Sequence, residues 1–467
     1  MQTEARPIPF HLGAYPVDPG FPQLEIACDA LRMRDVLRTH LKPVSGRTLE
    51  IRECIPFRFR CHQSDTRCVM QYTLHLAEPG VVQVRPQWVT ALIYAEPGEA
   101  ARVFRRMSAA DPLREIPEEW RTFEPVTFIP ELDMVVEVFP YDRRMPQLGR
   151  VMNGASHDLE PLVVGLLGPG RWQALDPVLE PRRYRTELGA VLRYGLEARE
   201  AESGRSARAG CYLKVYRDQR GKETFEFLES NAGRARRRGR DYSLVRPLAY
   251  WDELQTLVLE EAPGVSLGEK LRGDGEAVDA VRRVARALAA FHQDALVVPR
   301  TFTAADQRDG LSSASALVQW ALPLKRAKIA GVTAVANRHL EDVAPAPIHR
   351  DLTAEHVLLS DERVILIDVD SVAMGDPVRD PALLYAHITT TLGGHPPPEP
   401  PHPVATAFVE EYFAHVPAAW RKRFRYHCAG AFIEVAAGIF RAHEPGWPEL
   451  IAETAAKARH ALVGEYG

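Results

Sequence analysis

Cysteine is scarce in this sequence and forms no metal-binding pattern. Six cysteines stand among 467 residues, at positions 28, 54, 61, 68, 211 and 428. They form no close CxxC pair, and no histidines lie near them at the spacing of a zinc site. This absence excludes the common structural zinc modules, and we expect all six side chains to be reduced thiols.

Long apolar runs and an excess of one charge are also missing. No stretch reaches the roughly 18 apolar residues that a membrane helix needs, and the N-terminal residues MQTEARPIPFHLGAYP do not have the pattern of a signal peptide. The net charge of -4 gives no reason to expect nucleic acid as a partner. We therefore expect a cytoplasmic protein that binds neither membrane nor nucleic acid. The sequence leaves the oligomeric state open.

The chain does contain a degenerate internal repeat. The segments VMQYTL, ALIY and VVEVF begin at residues 69, 91 and 135, and the segments VLRYGL, LKVY and LVLEE begin 122 residues later, at 191, 213 and 257. The motifs RFR at 58–60 and RYR at 183–185 precede the two sets. Each copy has the pattern of antiparallel strands with one crossover helix. We infer a duplicated lobe of mixed sheet and helix.

Helical periodicity dominates the rest of the chain. Residues 276–293 place Val278, Val281, Ala285 and Leu288 on one face, which predicts an amphipathic helix. Further helices are predicted at 312–329, 380–390, 403–413 and 429–441. We predict an α+β protein with a cap domain over residues 1–165, a mixed β lobe over 166–264 and a helical lobe over 265–467.

A pair of aspartates flanks one predicted hairpin between these helices. The apolar runs HVLL and VILID enclose the polar turn SDER, so that Asp351 comes just before the first strand and Asp368 just after the second. Phosphoryl transfer needs two such carboxylates: one accepts the proton of the attacking hydroxyl, and the other holds Mg²⁺.

The motifs around these aspartates resemble the aminoglycoside phosphotransferase and choline kinase-like family. The matching segments are His349-Arg350-Asp351, Ile367-Asp368 and Gly375-Asp376-Pro377, followed by Asp380. The resemblance implies a bilobal kinase-like fold over the second β lobe and the helical lobe, and the repeat makes the cap domain a degenerate copy of that β lobe. It also implies ATP and Mg²⁺ as cofactors, Asp351 as catalytic base and Asp368 as metal ligand, with Asp376 acting as a helix cap.

One position departs from the family pattern. Where the family has an asparagine as second metal ligand, this chain has His356. Hard cations such as Mg²⁺ prefer oxygen donors to imidazole. Three alternatives follow: the site holds one metal tightly, His356 acts through water or on a phosphate, or catalysis is weakened.

The resemblance also implies a nucleotide site in the β lobe. Lys214, in GCYLKVYRD, corresponds to the family lysine that reaches the phosphates, and LVLEEAPG corresponds to the hinge, where the backbone of Glu260, Glu261 and Ala262 would meet adenine. The family pattern also calls for a helix glutamate to pair with Lys214; the candidates are Glu223, Glu226 and Glu229. No Gly-x-Gly-x-x-Gly loop is present, so the turn Thr186–Gly189 would have to supply amide donors, assisted by flanking arginines.

These features favour an ATP-dependent phosphotransferase acting on a hydroxyl of a small polar acceptor such as a sugar, amino sugar or aminoglycoside-like molecule. The alternative is an inactive pseudokinase that binds nucleotide or a partner protein. A protein kinase is disfavoured because no Asp-Phe-Gly or Ala-Pro-Glu motif follows Asp368. The first copy has Leu92 in the place of Lys214, so we expect a structural or regulatory domain; bacterial maltokinases are similar in layout.

Overall fold

The computed structural model describes residues 18, 20–60, 66–107, 112–235, 241–273, 276–361, 363–392, 402–444 and 446–464. The strands are β1 Glu50–Arg60, β2 Arg67–Ala77, β3 Arg85–Tyr94, β4 Val126–Ile129, β5 Met134–Val138, β6 Trp172–Arg185, β7 Gly189–Glu200, β8 Ser206–Tyr216, β9 Tyr242–Leu244, β10 Pro247–Trp251, β11 Thr256–Glu260, β12 Val265–Ser266, β13 Ala346–Ile348, β14 Val357–Leu359, β15 Val364–Leu366 and β16 Ala373–Gly375. The helices are α1 Leu24–Ala27, α2 Ala30–His40, α3 Glu99–Met107, α4 Gln147–Gly165, α5 Arg220–Ala235, α6 Leu267–Arg272, α7 Ala277–His292, α8 Ala304–Ala321, α9 Arg326–Arg338, α10 Arg379–Thr391, α11 Pro403–Ala414, α12 Ala418–Arg421, α13 Phe424–Ala442 and α14 Trp447–Leu462.

The two sequence repeats form two five-stranded sheets with the same strand order. The first sheet has the order β1-β2-β3-β5-β4, and the second has the order β6-β7-β8-β11-β10. Their registers also match: Val69 pairs with Leu92 in the first sheet, and Val191 pairs with Lys214 in the second. The offset of 122 residues is thus kept in the strand pairing. The predicted duplication and the α+β class are confirmed.

The first copy packs apolar residues at the position where the second has a lysine. Leu92 is fully buried in a cluster with Val69, Val103 of α3 and Val135 of β5. A charged group at such a position would be strongly disfavoured, because burial of an unpaired charge costs far more than burial of a methyl group gains. The first copy therefore lacks the cation that the second copy has at this register position.

The chain divides into two compact units. The first comprises Met1–Gln219, Trp251–Thr256 and Phe440–Trp447, and the second comprises Arg220–Tyr250, Leu257–Ile439 and Pro448–Gly467. The functional boundaries expected from the sequence, at residues 165 and 264, stay predictions.

The second unit contains most of the helices and two small sheets. One sheet has the order β12-β14-β15-β9, and the other pairs β13 with β16. Helix α7 buries the apolar face predicted from its sequence, with Val281, Ala285 and Leu288 almost fully inaccessible. The single helix predicted over 312–329 is wrong: α8 ends at Ala321, and α9 begins at Arg326. Pro323 lies between them and, having no N–H, does not continue a helix.

The cysteines follow the sequence expectation only in part. Cys28, Cys54, Cys211 and Cys428 are free and buried, as expected for reduced thiols. Cys68 is disulfide-bonded, so the expectation is wrong there. Cys61 lies outside the described residues. Among the described residues, no helix combines the length and the apolar character needed to cross a membrane.

Candidate active site

The loop that follows β13 carries His349, Arg350 and Asp351, and a buried carboxylate fixes its backbone. Asp380, in the first turn of α10, is fully buried. It accepts hydrogen bonds from the amide of His349 at 2.5 Å and from the amide of Arg350 at 2.9 Å. Arg350 has a φ of 71°, a left-handed conformation that is uncommon outside glycine. These two bonds hold the loop in the shape that exposes Asp351.

A buried histidine supports this anchor. His292, at the end of α7, lies with Nε2 3.1 Å from Asp380 and Nδ1 2.8 Å from the hydroxyl of Tyr412. Burial acts to raise the pKa of Asp380, but the hydrogen bond from His292 and the charges nearby hold that pKa below its usual range. His292 is thus a packed residue, as its position on an amphipathic helix predicts. Sequence reasoning did not assign Asp380 to the anchoring of the loop.

Three candidate site residues meet at the β14–β15 hairpin. Asp351, His356 and Asp368 each offer one ligand atom, and these three atoms lie within 4.8 Å of one another. The predicted hairpin is confirmed, with Val357 paired to Leu366. Because Asp368 has a left-handed φ of 57°, the chain turns sharply after β15. The fold thus brings together residues that are up to 17 positions apart in the sequence.

The orientation of the His356 ring follows from its hydrogen bonds. Its Nδ1 lies 2.6 Å from the carbonyl oxygen of Asp351, and because a carbonyl only accepts, Nδ1 carries the hydrogen. Its Nε2 lies 3.2 Å from a carboxylate oxygen of Asp368. Burial lowers the pKa of His356, although Asp368 opposes this effect. In the neutral ring, the lone pair of Nε2 points toward the carboxylate of Asp368. One imidazole nitrogen and the carboxylate oxygens of Asp351 and Asp368 form a donor set that fits a divalent cation.

Asp376 is a structural residue, but the expected helix cap is wrong: the N-cap of α10 is Val378, and no side chain caps this helix. It accepts from the amide of Val378 at 3.0 Å, from Arg423 at 2.8 and 2.9 Å, and lies 3.0 Å from His427. Burial opposes ionisation, but the hydrogen bonds from His427 and Arg423 hold the pKa of Asp376 well below its usual range. Its carboxylate therefore joins the residue before α10 to Arg423 and His427 at the start of α13.

A second cluster joins helix α5 to the segment after Asp368. Arg300 donates from Nε to Glu223 at 2.8 Å and from Nη1 to the carbonyl of Asp370 at 2.6 Å. Glu226 and Glu229 are exposed on α5. The pairing of Lys214 with a helix glutamate stays a prediction, and Arg300 is a residue near the site that the sequence motifs did not reveal.

The nucleotide-binding candidates lie on two strands. Lys214 lies in β8, with its ammonium group 5.8 Å from the ring centroid of Tyr216. Glu260 ends β11, and its amide donates to the carbonyl of Arg246 at 2.9 Å. Glu260 and Ala262 line a pocket of about 330 Å³. The other lining residues are Ser243, Leu244, Val245, Arg246, Pro263, Arg363 and Ile365.

The expectation for the β6–β7 turn needs correction. The amide of Glu187 donates to Asp142 at 2.7 Å, and the amide of Leu188 donates to the carbonyl of Arg185 at 3.0 Å. Both donors are thus already used within the protein. The turn Thr186–Gly189 does not offer these amides to a phosphate group.

Comparison with known proteins gives structural neighbours and one family model. Three solved structures resemble it weakly. Choline kinase LicA from Streptococcus pneumoniae is 14% identical, with 66% of this chain and 99% of that chain covered at a TM-score of 0.42. Ethanolamine kinase Pv091845 from Plasmodium vivax is 11% identical, with 68% and 95% covered at 0.41. A choline/ethanolamine kinase family protein from Mesorhizobium loti is 15% identical, with 61% and 88% covered at 0.40.

No curated protein matches the chain with significance. The family model described as "Phosphotransferase enzyme family" matches residues 199–423. This range includes the loop with Asp351, the hairpin and the anchor Asp380. The motifs around Asp351 and Asp368 predict this family, and they lie inside the matched residues 199–423.

Proposed function

We propose that the protein transfers the γ-phosphoryl group of Mg-ATP to a hydroxyl of a small polar molecule in the cytoplasm. The observation that carries this proposal is the meeting of Asp351, His356 and Asp368 within 4.8 Å inside the segment that matches the phosphotransferase family. The acceptor classes that we favour are sugars, amino sugars and aminoglycoside-like molecules.

The chain's own groups have distinct roles in this reaction. The exposed carboxylate of Asp351 orients the acceptor hydroxyl and takes its proton as the oxygen attacks the γ-phosphorus and the bond to the leaving ADP oxygen breaks. Asp368 and His356 would hold the cation, which neutralises charge on the phosphate oxygens. Lys214 would reach the phosphates, and the backbone of Glu260, Glu261 and Ala262 would meet adenine.

A screen of acceptors tests the proposal. ADP release is measured with sugars, amino sugars, aminoglycosides and amino alcohols, each with ATP and Mg²⁺. We expect at least one class to give ADP well above the rate of ATP hydrolysis without acceptor. If every class stays at that background while nucleotide still binds, the chain is a non-catalytic nucleotide-binding module instead.

The imidazole at position 356 predicts an unusual metal preference. Because nitrogen donors favour Mn²⁺ over Mg²⁺, wild type in complex with ADP should bind Mn²⁺ more tightly than Mg²⁺. His356→Asn should lower the ratio of Mn²⁺ affinity to Mg²⁺ affinity by on the order of ten-fold. Free Mn²⁺ is followed by its electron paramagnetic resonance signal, with Mg²⁺ as competitor. His339→Asn, a matched change at the end of α9, is the control. If the ratio of Mn²⁺ affinity to Mg²⁺ affinity is the same in wild type and His356→Asn, His356 is excluded as a metal ligand.

A further inference from the structure

Three arginines from the N-terminal copy surround one glutamate of the second copy. Arg60, at the end of β1, donates to Glu187 at 2.9 Å. Arg67, at the start of β2, donates to both carboxylate oxygens at 2.8 and 2.6 Å. Arg143 donates at 2.7 Å. The side chain of Glu187 is only 3% exposed, so these contacts enclose it almost completely.

The backbone of the same turn is held as well. Glu187 adopts a left-handed φ of 59°, a conformation that persists only where the surroundings fix it. Its amide donates to Asp142 at 2.7 Å, and its carbonyl accepts from Arg217 at 3.3 Å. The hydroxyl of Tyr184 donates to the same Asp142 carboxylate at 2.9 Å. The β6–β7 turn is therefore held through its backbone as well as through the side chain of Glu187.

The turn is connected to the strand that carries Lys214. Gly189, directly after the turn, pairs with Tyr216 of β8. The carbonyl of Tyr216 also accepts from the side chain of Gln147, at the start of α4, at 2.5 Å. The ring of Tyr216 lies 5.8 Å from the ammonium group of Lys214. The N-terminal copy and α4 thus contact this end of the second sheet at both Glu187 and Tyr216.

The charges make Glu187 the central member of this cluster. Burial disfavours its ionised form, but the hydrogen bonds and charges of Arg67 and Arg143 lower the pKa of Glu187 to about 2. Without that carboxylate, three guanidinium groups would repel one another in a partly buried position, and Glu137, 3.6 Å from Arg143, would offset only part of this repulsion. The turn would then lose its main anchor.

We propose that Glu187 is a positioning residue through which the N-terminal domain holds the β6–β7 turn and the adjoining end of β8, and so sets the position of Lys214. This inference rests on the proposed function, because it assigns Lys214 to the phosphates of ATP. The N-terminal domain would then be necessary for nucleotide binding, although it has the buried Leu92 in the place of Lys214.

Direct nucleotide binding tests the positioning role. ATP affinity is measured by calorimetry for wild type, Glu187→Gln and Glu180→Gln, at a temperature at which circular dichroism shows all three to be folded. Glu180 is the matched control, since it lies on β6 in an exposed ion pair with Arg182. We expect Glu187→Gln to weaken ATP binding about ten-fold or more, with the KM for the acceptor unchanged, and Glu180→Gln to behave as wild type. ATP affinity of Glu187→Gln equal to that of wild type would overturn the inference.

A double-mutant cycle separates positioning from a general loss of structure. If Glu187 acts through Lys214, Lys214→Ala with Glu187→Gln should bind ATP no more weakly than Lys214→Ala alone. Additive losses would show that Glu187 acts elsewhere and would overturn the inference. If wild type itself binds no ATP, the proposed function fails and this role fails with it. Normal binding by wild type and by Glu187→Gln rejects only the role of Glu187.

Discussion

Asp351→Asn is expected to lower kcat by about 10³-fold while ATP and Mn²⁺ still bind. The reason is chemical: an amide has the size of a carboxylate but does not accept a proton from the attacking hydroxyl, and general base catalysis is typically worth 10²–10⁴-fold. The side chain is exposed, and the loop is held through the backbone amides of His349 and Arg350. The substitution should therefore leave the fold intact.

The measurement is a steady-state assay of ADP release with the best acceptor from the screen, together with calorimetric titration of ATP. Asp361→Asn is a suitable control, because Asp361 is an exposed aspartate in the turn of the same hairpin. It should leave kcat unchanged. An Asp351→Asn variant with wild-type kcat would mean that another group takes the proton, and the proposed role of Asp351 would be wrong.

The parts of this site that the sequence predicted are those whose geometry depends on residues close together in the sequence. The hairpin requires two apolar runs and a polar turn, and all three lie within one segment of the chain. The hairpin places Asp351 and Asp368 at the same end, so their proximity follows largely from local pattern. The repeat was visible for a related reason: strand pairing preserves register, and Val191 and Lys214 keep the spacing of Val69 and Leu92.

The parts that the sequence did not predict depend on contacts between distant segments. Arg67 and Glu187 are separated by 120 residues, and Arg300 and Glu223 by 77. Each of these residues is charged, and most charged residues lie at the solvent-exposed surface. The sequence alone therefore predicts an exposed position for each of them. Only the folded chain shows that Glu187 is enclosed, that the amides of Glu187 and Leu188 are already hydrogen-bonded, and that Cys68 is disulfide-bonded.

The anchor Asp380 gives the second large expected effect. Asp380→Asn replaces one carboxylate oxygen by an amide N–H₂. In either orientation this N–H₂ would face a backbone amide donor, that of His349 or that of Arg350. Loss of one partner in a buried, charged network of this kind costs about 3–5 kcal/mol. The free energy of unfolding, from urea denaturation followed by circular dichroism, should fall by roughly that amount.

The same change should also lower kcat, because one of the amides of His349 and Arg350 would lose its acceptor and Asp351 would lose its alignment with the acceptor hydroxyl. A displacement of about 1 Å is enough to cost on the order of 10²-fold. Asp279→Asn is the matched control: Asp279 lies in the first turn of α7 as Asp380 does in α10, but it is exposed. A first-turn aspartate at the surface contributes only about 0.3–1 kcal/mol through the helix dipole. If Asp380→Asn lowers stability while kcat of the folded fraction is unchanged, Asp380 stabilises the fold without positioning Asp351.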